Sequence, residues 1–260
     1  MLEFQVLFFI IKISDGIAIA QSTNHAQLPL ELIAEIFDRL HGDRKALAVC
    51  SLVCKSWTRL ARYRLFEDVT IHHRAGMLLE VGSTAMVFIR RLSLLPRNAL
   101  LYNEIILQLG GLEMIRSLSL SNFAWRVLKP EVKSAFFAHF SSIVRLQLRV
   151  VGTLAFSDLA TIICAFPRLE TLVFIRYSAL LHDDPSPSAI CLPRNLRELE
   201  LRVTDVNTFL NWLLSIPTIP AFRTVYLHGA LPQVTESFLQ ALGPSLEVLR
   251  CDSYGETDNL

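Results

Sequence analysis

The chain has 260 residues, 25 Lys and Arg against 24 Asp and Glu, and 52 % apolar residues. That apolar content excludes a disordered chain, and a net charge of +1 gives no field for gathering nucleic acid or an anionic membrane surface. The length permits one or two domains. The five cysteines are an odd number without CxxC pairs. Cys50 and Cys54 stand one helical turn apart, but no second Cys or His pair completes a metal set. The cysteines read as reduced, mostly buried thiols of a cytoplasmic or nuclear protein.

Residues 1–27 do not share the patterning of the rest of the chain. Val6 to Ile11 is an apolar run, cut short by Lys12 and Asp15, too short to span a bilayer. Glu3 rather than a basic residue precedes it, although Ala18-Ile19-Ala20 offers a small-residue cleavage pattern. A poorly ordered or misassigned extension is the preferred reading, and a signal peptide the alternative.

From Leu28 the pattern becomes helical. Leu28, Leu32, Ile36 and Leu40 recur at four-residue spacing, and Ile33 and Phe37 join them to make one apolar face. Pro29 suits a first turn, with Glu31 and Glu35 near the positive end of the dipole. His41-Gly42 ends this helix, and Asp43 is placed to cap a second one running to about Val53. A third helix sets Trp57, Leu60, Ala61 and Leu65 on one side, with Lys55, Arg59, Arg62 and Arg64 toward water. About forty residues of this kind make a marginal domain alone.

The segment 28–66 resembles an F-box, whose pattern is Leu-Pro, then a helix with Ile-Phe, then Leu-Val-Cys-Lys-x-Trp. Here these read Leu28-Pro29, Ile36-Phe37, and Leu52-Val53-Cys54-Lys55 with Trp57. The resemblance implies docking on the Skp adaptor of a cullin–RING (SCF) ubiquitin ligase. The contacts it implies are Leu28, Pro29, Leu32, Ile33, Ile36, Phe37, Leu40, Val53 and Trp57. The alternative is that these residues are only the core of an ordinary helical cap.

Residues 67–87 read as a connector, with a short strand at Val69-Thr70-Ile71 and an exposed pair, His72-His73, that lacks partner ligands. From residue 88 the chain repeats an apolar–any–apolar pattern. Its first apolar positions are 92, 118, 146, 172, 199, 225 and 249, at intervals of 26, 28, 26, 27, 26 and 24 residues. Helical segments fall between, around 131–140, 157–164, 206–214 and 235–242. Such a period lies in the leucine-rich-repeat range, and strand–helix units of this size bury their leucines only against neighbours. The fold class expected is α+β to α/β: a three-helix F-box, then an irregular leucine-rich-repeat-like strand–helix solenoid over 88–260.

This part resembles the irregular leucine-rich-repeat regions found behind F-boxes in many fungal proteins. The usual repeat has an Asn after the second apolar strand position. Only Asn122 occupies that place; the other units carry Pro96, Val150, Arg176, Val203, Gly229 and Ser253. No amphipathic helix comes after the last strand pattern, so a solenoid truncated at its C-terminus, or leaning on something else, is expected. The segment 182–193, with Asp183 and Asp184, reads as an exposed loop.

Strand alternation places Arg91, Ser93, Arg145, Gln147, Arg149, Glu198, Glu200, Arg202, Tyr226, His228, Arg250 and Asp252 on one concave surface. Val173 and Ile175 supply an apolar stripe at its centre. Within this surface Arg91, Arg145, Arg149, Val173, Ile175, Arg202, Tyr226 and Arg250 are the expected contacts for a target protein. No hydrolase elbow, phosphate loop, dinucleotide fingerprint or zinc-protease motif occurs. A non-enzyme without cofactor or metal is therefore expected. The reading is a substrate receptor of an SCF-type ligase, bound through the Skp adaptor to a cullin and holding an unidentified target. The alternatives are a repeat scaffold with no ubiquitination role and a secreted leucine-rich-repeat protein.

Overall fold

The structure is a computed structural model and describes residues 29–72, 86–110, 112–151, 154–176, 192–204, 206–228 and 232–252. The expectations for residues 1–27, Leu28, His73, residues 182–191 of the 182–193 loop, Gly229 and Ser253 lie outside the described residues. The end of that loop, Leu192 and Pro193, is buried rather than exposed. The chain divides into two compact units, Met1–Val69 with Ala75–Arg90, and Thr70–Arg74 with Arg91–Leu260.

Among its described residues the first unit holds three helices. Helix α1 (Leu30–Arg39) is entered through Pro29 and has Glu31 in its first turn and Arg39 in its last, matching both ends of the dipole. The Asp43 carboxylate accepts from the Ala46 N–H at 2.9 Å and caps α2 (Arg44–Cys50). That helix stops at Cys50, three residues before the expected end, because the chain turns over Ser51–Val53 with backbone bonds from Leu52 to Val49 and from Val53 to Cys50. Helix α3 (Lys55–Phe66) comes next. Ile33, Phe37, Leu47, Ala48, Ala61, Leu65 and Phe66 close the core, with Leu40, Trp57, Leu60 and Phe88 packed at its rim. The Phe37 and Trp57 rings meet edge to face at 5.6 Å, a favoured aromatic geometry. Arg64 does not face water as its spacing suggests. It pairs with Asp38 of α1 and, at 3.0 Å, with Glu67.

The sheet has eight strands in chain order: β1 (Asp68–Ile71), β2 (Arg91–Leu94), β3 (Ser117–Phe123), β4 (Arg145–Val150), β5 (Thr171–Arg176), β6 (Glu198–Val203), β7 (Thr224–His228) and β8 (Val248–Asp252). Every pair from β2–β3 to β7–β8 is parallel. The apolar repeat positions face one another: Leu92, Leu118, Leu146, Leu172, Leu199, Val225 and Leu249 form one continuous row. The row from Leu94 to Cys251 runs parallel to it two residues on. Except in β8, whose residues are all exposed, these side chains are buried.

Parallel neighbours require crossovers, and among the described residues helices make five of them: α4 (Tyr102–Gln108), α5 (Pro130–His139), α6 (Phe156–Cys164), α7 (Val206–Ser215) and α8 (Pro232–Leu242). Pro130 begins α5, a position where the missing N–H of proline costs little. The N-cap of α6 is Ala155, and Asp158 in its first turn accepts from Arg126 Nε at 3.2 Å. Gly243 closes α8 with φ of 58°, the left-handed conformation glycine adopts without strain. Aromatic rings fill the space behind the strands. Phe136 touches Phe123, Trp125, Phe140 and Phe166, and Phe209 touches Phe156, Phe174 and Trp212.

Two polar residues tie one unit of the repeat to the one before. Asn122 is the only described non-glycine residue with positive φ, at 57°. It lies where β3 shifts register against β4. Its amide donates to the Pro96 carbonyl at 3.0 Å, the position equivalent to its own in the preceding unit. Arg176 fills the same slot on β5 and is 1 % exposed. Its guanidinium donates to the Leu154 carbonyl at 3.2 Å, and burial pulls its pKa below the ordinary arginine value.

Candidate functional site

In the helical unit the expected contact residues divide by direction. Ile33 and Phe37 are 5 % and 1 % exposed and belong to the core, with Leu40 and Trp57 packed at its edge. Helical geometry explains this division: residues 33, 37 and 40 share the stripe facing α2 and α3, while 29, 32 and 36 lie one position around the helix. Pro29 is exposed, Leu32 is 48 % exposed and Ile36 39 %. Two residues absent from the expected set join them: Val49 and Leu52 are exposed, as is Val53. The sequence did not show this, because a helix continued to Val53 hides the turn at Ser51–Val53 that brings Leu52 and Val53 to the surface. Most exposed apolar residues stand singly and need no explanation; here five fall within 22 residues of chain, 32–53.

The hinge of this surface is held by local bonds. The Ser51 hydroxyl donates to the Ala48 carbonyl at 2.6 Å. The Thr58 hydroxyl lies 2.7 Å from the Ser51 carbonyl and 2.9 Å from that of Cys54. These bonds fix the turn carrying Leu52 and Val53 onto the start of α3.

On the sheet, registry aligns the alternate residues in three rows. The first is Arg91, Ser117, Arg145, Thr171, Glu198, Thr224 and Val248; the second is Ser93, Ser119, Gln147, Val173, Glu200, Tyr226 and Arg250. The third is Ser121, Arg149, Ile175, Arg202, His228 and Asp252. All the residues expected on one surface share this face. The serines of β3, which were not among the expected residues, obey the same alternation. Arg145, Arg149, Arg202 and Arg250 are exposed, and Arg91 and Tyr226 half-buried.

Val173 and Ile175 correct the expectation. They are 3 % and 5 % exposed and offer no open apolar stripe. Their neighbours in register are Gln147 and Arg149 on one side and Glu200 and Arg202 on the other, so long polar side chains flank two short β-branched ones. The polar residues are also paired. Arg145 lies 3.8 Å from Glu198, which accepts from the Thr171 hydroxyl at 2.9 Å. Arg202 donates to Glu200 at 2.7 Å. His228 stands 3.3 Å from Asp252 and 3.9 Å from Glu200, and Arg250 lies 5.4 Å from the centre of the Tyr226 ring. Exposed pairs of this kind contribute roughly 1 kcal/mol or less each. They fix side-chain positions rather than stabilise the fold.

Among the described residues no cluster of three or more His, Cys, Asp and Glu could hold a metal ion. No helix among them is long and apolar enough to cross a membrane. Cys50, Cys54 and Cys164 are half-buried free thiols and Cys251 is an exposed one, which makes the described cysteines less buried than their number and spacing suggest.

No curated protein matches the chain. Residues 25–72 match the F-box-like family model. The match covers 48 of the 260 residues, 25 to 72 inclusive, and takes in the three helices and strand β1. The chain thus carries a small helical F-box-like region followed by an eight-stranded sheet with helices, and the match suggests a role in adaptor binding of the SCF type.

Proposed function

We propose that the chain is a substrate-recognition subunit of an SCF-type cullin–RING ubiquitin ligase. The F-box-like helices, residues 28–66, dock on the Skp adaptor and through it on the cullin. After the connector at 67–87, residues 88–260 form an irregular leucine-rich-repeat solenoid of the fungal type, whose in-register polar face receives the target protein. The supporting observation is that Leu32, Ile36, Leu52 and Val53 are exposed within a region that matches the F-box-like family. Apolar side chains left open on so small a unit gain free energy by burial against a partner, at about 25 cal/mol per Å². Pro29 joins this surface. Ile33, Phe37, Leu40 and Trp57 support it from the core and make no direct contact. On the sheet the contacts are Arg91, Arg145, Arg149, Arg202, Tyr226 and Arg250; Val173 and Ile175 stiffen the centre beneath them.

The protein supplies no catalytic residue in this reading and is not an enzyme. It acts by proximity: a target held beside the ubiquitin-charged enzyme reacts at a raised effective concentration. The site of action is the cytoplasm or nucleus. Calorimetric titration of the Skp adaptor with the full chain and with a Leu32→Asp/Ile36→Asp/Val53→Asp variant tests the docking face. The wild type binds, and the variant loses binding while its circular dichroism is unchanged. Undiminished binding by the variant would show that this face is not the docking surface.

A further inference from the structure

A second surface of the helical unit uses none of the residues assigned to the adaptor. It is a groove of ≈ 940 Å³ at the starts of α1 and α3, completed by Val87, Phe88 and Arg90. Its floor is apolar and fixed: Leu60 and Phe88 pack on the core, and the Tyr63 ring meets Phe88 edge to face at 6.4 Å. Its wall is basic. Lys55, Arg59 and Arg90 line it against one acid, Glu31.

Arg90 is held in place for this role. Its guanidinium donates to the Val87 carbonyl at 2.8 Å and to that of Ile89 at 3.3 Å, and it lies 6.0 Å from the centre of the Tyr63 ring. Those bonds leave its charge without a carboxylate partner among the described residues. Lys55 and Arg59 are exposed and make no ion pair with a described residue. The groove also meets the first turn of α3, a 12-residue helix whose N-cap, Cys54, makes no side-chain capping bond, so the positive end of the helix adds to the same field.

We infer that this groove is a docking site for an acidic peptide segment that carries an aromatic or large aliphatic anchor. The anchor sits on Leu60, Tyr63 and Phe88, and carboxylates on either side meet Lys55, Arg59 and Arg90. Charge complementarity selects this occupant. Three cations against one anion repel a basic segment, and a floor of apolar and aromatic side chains gives a purely polar polyanion nothing to bury.

The test is fluorescence anisotropy of the full chain with a labelled short peptide in which one Phe is flanked on both sides by Asp and Glu. Saturable binding is expected, weakened about tenfold or more by Lys55→Glu with Arg59→Glu, by added salt, and by replacing the peptide Phe with Gly. Both substituted positions are exposed, so circular dichroism of the double variant stays that of the wild type. The double variant also keeps its binding to the Skp adaptor. Three results would each overturn the proposal: no saturation, equal binding of the Phe-to-Gly peptide, or unchanged binding by the double variant. Loss of adaptor binding in that variant would do so as well, since it would assign the groove to the adaptor interface.

Discussion

Ile36 and Phe37 are neighbours in the chain and do different work. Phe37 is 1 % exposed and stacks edge to face on Trp57, so Phe37→Ala removes a core ring and is expected to cost about 3–5 kcal/mol. Ile36 is 39 % exposed, and Ile36→Asp is expected to change stability by roughly 0.5 kcal/mol or less while abolishing adaptor docking. Urea unfolding of the two variants, read beside their binding, separates the roles. Equal destabilisation by both would mean that Ile36 is a core residue after all. The sequence shows that both positions are apolar, and the motif resemblance places both on one face. It does not divide them, because a six-residue apolar set covers more of a helix than one neighbour can bury. Which part of that set faces inward depends on where α2 and α3 lie.

At the level of elements, the strands were the most legible part. A central strand sheltered on one face only reads as alternation, and seven such patterns at near-constant spacing predicted the register that pairs Leu92 through Leu249. Helix α4 was not predicted. It is seven residues long and enters through a 3₁₀ turn (Ala99–Leu101) capped by Asn98, too short to display a helical period. The burial of Val173 and Ile175 was also hidden, because it depends on the side chains of the strands on either side of β5 and not on β5 itself. Asn122 offers a direct test of how adjacent units are joined. Asn122→Ala loses the bond to Pro96 and keeps a β-carbon in the left-handed region, which costs roughly 1–2 kcal/mol beyond the lost bond of about 1 kcal/mol. Asn122→Gly loses only the bond. The alanine variant is therefore expected to unfold at lower urea than the glycine variant; the reverse order would show that φ at this position is not what constrains the turn.

For the whole molecule, the proposed function joins an adaptor-binding unit to a target-binding sheet, and the two rest on unequal support. The helical unit is supported by a spaced motif, by exposed apolar side chains and by a family match over residues 25–72. The sheet is supported by the registry of its polar rows, whose charged residues are largely satisfied among themselves. Such a surface gains from a partner only if that partner replaces pairs already made, so discrimination between targets is expected to exceed affinity for any one of them. No sequence pattern carries the identity of that partner, since a row of alternating polar residues reads alike whether it meets a protein or water.

The measurement that tests adaptor docking most directly is size-exclusion chromatography with light scattering on the full chain mixed with purified Skp adaptor. One co-eluting species with the mass of a one-to-one complex is predicted. Separate elution of the adaptor and a chain shown by circular dichroism to be folded would contradict it.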